Sequence, residues 1–93
     1  MGRVCIITSK YLVEADGVEI KLTKTEFELI SHLFLHANEV IGRDTLMKEI
    51  IGYERYLSDR TIDTHMKNLR KKFEGFLEIE TLRAVGYKVR AIL

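Results

Sequence analysis

Apolar positions along this chain recur in two rhythms, and each predicts a different kind of element. From Ile62 the intervals to Met66, Leu69 and Phe73 are four, three and four residues, the spacing that gathers side chains on one face of an α-helix. A helix is therefore predicted from Ser58, a good N-cap, to Phe73, with Gly75 as its stop. Its opposite face carries Arg60, Thr64, Lys67 and Lys71, with Asp63 and Asn68 on the flanks. The capping box Thr23-Lys24-Thr25-Glu26 opens an earlier helix running to about Ala37, with Phe27, Ile30, Leu33, Phe34 and Ala37 toward the core. Between the two, Gly42 can cap a short helix from Arg43 to about Ile51 whose Leu46, Met47 and Ile50 point inward. The second rhythm has period two. Val4 to Thr8, Tyr11 to Glu14 and Val18 to Leu22 read as strands, the last alternating cleanly, with Asp16-Gly17 as a tight hairpin turn. Leu77 to Leu82 and Tyr87 to Ile92 are two more β-prone runs, joined by Arg83-Ala84-Val85-Gly86.

An N-terminal antiparallel sheet, three helices and a C-terminal β-hairpin make an α+β winged helix-turn-helix. The second and third helices form the helix-turn-helix pair and the hairpin forms the wing. A helix with one apolar stripe and a basic, hydrogen-bonding outer face suits the major groove of duplex DNA; the same amphipathic pattern also describes an ordinary solvated surface helix.

Composition narrows the choice. Ninety-three residues with 46% apolar and 31% charged residues describe one globular domain, residues 1–93, able to build a core without metals or disulfides. No apolar run approaches the ~20 residues that span a bilayer, and the N-terminus lacks a signal-peptide apolar region, so no membrane role is expected. Cys5 is the only cysteine, which points to a reducing, cytoplasmic setting; within Val4-Cys5-Ile6-Ile7 it reads as a core filler. The net charge of +1 hides an asymmetry. Residues 1–57 carry seven Lys/Arg against nine Asp/Glu, and residues 58–93 carry eight against five. Positive charge gathers toward the predicted third helix and hairpin, as an anionic partner requires. His32 and His36 have the i, i+4 spacing of a metal pair but no neighbouring Glu and no third ligand, so neither metal nor other cofactor is expected. No nucleophile, base and oxyanion constellation appears, so an enzyme is not expected.

These residues resemble a known family. Leu22-Thr23-Lys24-Thr25-Glu26-Phe27-Glu28-Leu29-Ile30 is similar to the L-T-x-x-E-[FY]-x-L-L opening of the effector domains of OmpR/PhoB-type response regulators. Arg43-Asp44-Thr45-Leu46 looks like their R-[ED]-x-L helix, and Arg60 to Lys72 like their R-T-[VI]-D-x-H-[IM]-x-x-L-R-K-K recognition helix. Thr81 to Lys88 resembles the T-[VI]-R-G-x-G-Y-[RK] wing. The chain departs from the pattern at Ile50-Ile51-Gly52, where V-W-G is common, at Thr64 and Asn68 on the groove-facing surface, and at Ala84, where glycine is frequent. The family's phosphorylatable receiver domain is absent from this chain, and the resemblance favours a dissected effector domain over a stand-alone regulator.

The resemblance implies a sequence-specific transcriptional regulator of a two-component system acting on double-stranded DNA, with a protein-docking winged helix as the alternative. Arg60, Lys67, Arg70 and Lys71 are the expected phosphate and groove contacts, joined by Thr61 in the same motif; Arg70 could instead pair with an acidic neighbour. Thr64 and Asn68 are the candidate base readers, through a thymine methyl and an adenine edge respectively. Asp63 either accepts from a cytosine amine or orients Arg60 or Lys67. His65 either meets the DNA backbone or sits partly buried. Arg83 resembles a wing arginine entering the minor groove. Thr81 and Tyr87 resemble flanking backbone contacts, although Tyr87 could simply pack the wing onto the third helix. The Gly52–Leu57 loop, with Tyr53, Glu54, Arg55 and Tyr56, resembles the segment that contacts RNA polymerase, and such domains pair head to tail on DNA.

Overall fold

The computed structural model describes residues 2–51 and 61–92. The expected N-cap Ser58, Arg60, the Thr61 side chain and the loop with Tyr53, Glu54, Arg55 and Tyr56 lie outside the described residues. The chain begins with strands β1 (Val4–Ile7), β2 (Leu12–Ala15) and β3 (Val18–Glu19), paired antiparallel in that order. Asp16 (φ 52°) and Gly17 (φ 78°) form the two-residue turn between β2 and β3, both in the left-handed region that such a turn demands. The first and third strands are shorter than expected, and the second keeps its four residues but is shifted by one. Thr8–Lys10 winds into a 3₁₀ turn that leaves Tyr11 left-handed (φ 50°), so β2 starts one residue later than expected. β3 ends at Glu19, with the Ile20 amide still donating to the Val13 carbonyl at 2.8 Å, and Val18 is exposed on this edge strand.

Helix α1 (Lys24–Leu35) starts with the capping box formed. The Thr23 hydroxyl accepts from the Glu26 amide at 3.2 Å, and the Glu26 carboxylate accepts from the Thr23 amide at 3.0 Å. Its core face holds Phe27, Ile30 and Leu33 as expected, with Phe34 and Ala37 partly buried against it, and Leu29 is fully buried as well. A short β4 (Ile41–Gly42) leads into α2 (Arg43–Leu46), which continues as a π-helix over Met47–Ile51. Helix α3 (Thr61–Lys72) is followed by the hairpin strands β5 (Leu77–Leu82) and β6 (Gly86–Ala91). The second sheet has the order β4-β6-β5, so the hairpin is anchored by a strand from the middle of the chain.

The predicted apolar stripe of α3 is the centre of the core: Ile62, Met66, Leu69 and Phe73 are each 0% exposed. They pack with Leu29, Ile30 and Leu33 of α1, Leu46 and Met47, and the inward residues Leu77, Ile79, Tyr87 and Val89 of the hairpin. Cys5 is a correction. It is exposed, because the strand alternates and Val4 takes the inward position.

Candidate nucleic-acid interface

Each residue of an α-helix turns about 100° from the last, so α3 divides into an inward face, an outer face and two flanks. The apolar stripe fills the inward one. Thr64, Lys67, Asn68 and Lys71 lie on the opposite side, and all four are exposed. The flanks hold the residues whose partners are far away in sequence.

On one flank stand Asp63 and Arg70, seven residues and about 20° apart, and both face the hairpin. The Arg70 guanidinium donates to the Ile79 carbonyl at 2.8 Å and to the Thr81 hydroxyl. Arg70 thus bonds a backbone carbonyl and a hydroxyl of β5, neither of them an acidic neighbour. Asp63 accepts from Arg43 of α2 at 3.1 Å and from the Tyr87 hydroxyl of β6; Arg43 thus makes an orienting contact with Asp63, and the expected partner Arg60 lies outside the described residues. Tyr87 is 4% exposed and packs the wing onto the helix. Burial, together with the hydrogen bond and negative charge of Asp63, holds its phenol above the ordinary range, with Arg43 opposing.

On the other flank stand His65 and Lys72, facing α1. Lys72 Nζ donates to the buried carboxylate of Glu26 at 2.6 Å. Glu26 therefore serves two structures at once, capping α1 and tying down the end of α3. Burial alone would raise its pKa, but the Lys72 hydrogen bond, the Thr23 amide and the charges of Lys72 and His65 together bring it below the ordinary carboxylate value. His65 is half-buried, and its Nδ1 is one of the buried side-chain atoms with no hydrogen-bond partner among the described residues. A group whose pKa is lowered by folding stabilises the fold above its unfolded value, and that contribution is lost as pH falls through the folded value. Glu26→Gln keeps the acceptor for the Thr23 amide but loses the ion pair. It is expected to cost about 1–2 kcal/mol at pH 7, with the gap from the parent closing as pH drops below the ordinary value of 4.5. Urea melts of both proteins across that range check this; a gap unchanged by acid would refute it.

The wing projects beyond this frame. Its turn closes with the Val85 amide donating to the Leu82 carbonyl at 2.9 Å, and Arg83 is exposed at the tip. Ala84 occupies a left-handed conformation (φ 64°), a position that costs a side-chain-bearing residue about 1–2 kcal/mol and explains why glycine suits it. Between the wing and the starts of α2 and α3 lies a cleft of about 540 Å³ lined by Arg43, Asp63, Thr81, Arg83 and Tyr87 among others. A larger groove of about 770 Å³ runs between the N-terminal sheet and α1, but its walls are mainly apolar and, among the described residues, contain no Lys or Arg.

His32 and His36 have ring centroids 5.0 Å apart, but each faces a different carboxylate, Glu49 and Glu39. Among the described residues no group of three or more His, Cys, Asp and Glu side chains could hold a metal ion, and no helix is long and apolar enough to cross a membrane.

The family described as "Transcriptional regulatory protein, C terminal" matches residues 17–89. The transcriptional regulatory protein VxrB of Vibrio cholerae is 47% identical over 76 residues, covering 82% of this chain and 31% of VxrB. The chain thus spans about a third of the length of such curated relatives. Among solved structures, the DNA-binding domain of CpxR from E. coli superposes with a TM-score of 0.86 at 30% identity, covering 100% of this chain and 95% of that one. The Klebsiella pneumoniae RstA DNA-binding domain, solved in complex with the RstA box, gives 0.80 at 29% identity over 94% of this chain and 90% of that one.

Proposed function

We propose, from the premise that the chain belongs to the OmpR/PhoB-type family of transcriptional regulatory protein C-terminal domains, that it binds duplex DNA sequence-specifically as the effector domain of a two-component response regulator. The observation that carries this reading is the division of α3. Four residues of its stripe are fully buried, while Thr64, Lys67, Asn68 and Lys71 stand exposed on the reverse side. Lys67 and Lys71 neutralise phosphates, Thr64 and Asn68 meet base edges, and Arg83 enters the minor groove from the wing tip. His65 borders the same surface and adds a backbone contact, and Arg60 and Thr61 are further backbone contacts by their place in the family motif. Two copies lie head to tail on adjacent half-sites, the loop holding Tyr53 to Tyr56 meets RNA polymerase, and the protein works in the cytoplasm. Residues 1–93 act as one effector unit, and the relatives' additional length leaves room for a receiver domain elsewhere in the protein.

Oligonucleotides selected from a random pool give the preferred duplex, and binding to it across a salt series tests the reading. Affinity should fall with a log–log slope of about −0.9 per phosphate neutralised. Unrelated DNA should compete poorly. Salt-independent binding, or no selection of a preferred duplex, would instead favour a protein-docking role. On the selected site Asn68→Ala is expected to lose roughly 1–3 kcal/mol, concentrated at one base pair. Equal losses on every duplex would mean that Asn68 touches backbone, not bases.

A further inference from the structure

We propose that Arg43, Asp63 and Tyr87 form a clasp that fixes the wing relative to α3, which makes them positioning residues for Arg83. The inference rests on the DNA-binding reading and adds to it how the two groove-reading elements keep their spacing.

Asp63 stands in the first turn of α3, and among the described residues each of its carboxylate oxygens accepts from one donor. Oδ2 accepts from Nη2 of Arg43, the first residue of α2, at 3.1 Å, and Oδ1 accepts from the hydroxyl of Tyr87 on β6. Two helices and the wing thus converge on a single carboxylate. The backbone reinforces the convergence. Ile41 and Gly42 pair with Tyr87 and Gly86, and the Arg43 amide donates to the Val85 carbonyl at 3.3 Å, inside the wing turn. Farther along the same flank of α3, Arg70 holds Ile79 and Thr81 on the other strand. Residues 63 and 70 are about 10 Å apart along a helix axis, so the hairpin is gripped at two separated points on one rod. A hairpin held at two points cannot swing about either.

Joint reading of a major and a minor groove needs that rigidity, because the separation between the grooves is set by the DNA and a functional group must be held to within about 0.5 Å. The Arg43 and Asp63 side chains are themselves 41% and 59% exposed, and an exposed pair contributes little to stability. The clasp accordingly governs geometry more than folding. Tyr87→Phe removes the hydroxyl while keeping the buried ring, and Asp63→Asn removes the charge.

A double-mutant cycle with Arg83→Ala tests the coupling. On duplexes flanked by A·T tracts, Tyr87→Phe should weaken binding about tenfold, and on G·C-flanked duplexes about twofold or less. In the Arg83→Ala background it should cause almost no further loss. Losses that add to those of Arg83→Ala, or that are equal on both flanks, would make Tyr87 and Asp63 independent contacts and overturn the clasp. A second measurement needs no DNA. Amide exchange at Val85 in the free protein should quicken about tenfold in Tyr87→Phe and Asp63→Asn, with Leu69 and Phe73 unchanged. Unchanged exchange at Val85 would overturn the proposal even if wild-type protein binds DNA. Failure of the wild type to bind any duplex would end the functional reading and leave the exchange result to decide the clasp.

Discussion

Gly86→Ala is expected to destabilise the domain by about 3 kcal/mol or more and to detach the wing from the helices. A Cβ at residue 86 would lie 2.0 Å from the Ile41 carbonyl oxygen and 2.8 Å from its carbon. Both are backbone atoms of β4, so no side-chain rotation relieves the clash. Gly86 and Gly42 face each other where β4 meets β6, and this pairing brings the wing to α2. Gly17→Ala is the control: open space surrounds that position, and only its left-handed φ of 78° opposes a side chain, at about 1 kcal/mol. Urea denaturation of the two variants measures the difference. A loss at residue 86 no larger than that at residue 17 would show that the strands separate easily and that the close approach is not essential.

Charge reversal on the outer face of α3 should act in the opposite way, on binding and not on folding. Lys67→Glu with Lys71→Glu is expected to reduce affinity for the selected duplex by at least about a hundredfold at moderate salt, since two phosphate contacts become repulsions. Both side chains are exposed on the face opposite the fully buried Ile62, Met66, Leu69 and Phe73, so the thermal melt should move little. Normal duplex binding by the double variant would place the DNA on another surface. A collapsed melt would mean that these lysines support the fold.

Much of this division could be read from the sequence because it depends on local spacing. The four-three-four interval of α3, the Thr23–Glu26 capping box and the Asp16-Gly17 turn need only neighbouring residues to declare themselves. What escaped depends on partners distant along the chain. Glu26 meets Lys72 across 46 residues, Asp63 meets Arg43 across 20, and no periodicity announces either contact. A signal was nevertheless present. Arg43, Asp63 and Arg70 belong to recognisable motifs without lying on an apolar stripe, which is how structural ion pairs and hydrogen bonds register in a sequence. The misplacement of Cys5 has a different origin: in a run of four apolar residues, alternation alone cannot say which pair faces inward.

Lys71 and Lys72 are adjacent in sequence yet belong to different sectors of α3, one exposed on the outer face and the other paired with buried Glu26. The anchoring of the helix is thus physically separate from its message. On the proposed DNA-binding reading, the exposed Lys67, Asn68 and Lys71 can be exchanged at about 0.5 kcal/mol or less of stability each, so a related protein would acquire a new operator without passing through an unfolded ancestor. Lys72 has no such liberty. Its replacement would strand a buried carboxylate, and selection would meet it as a folding defect before any change of target was tested.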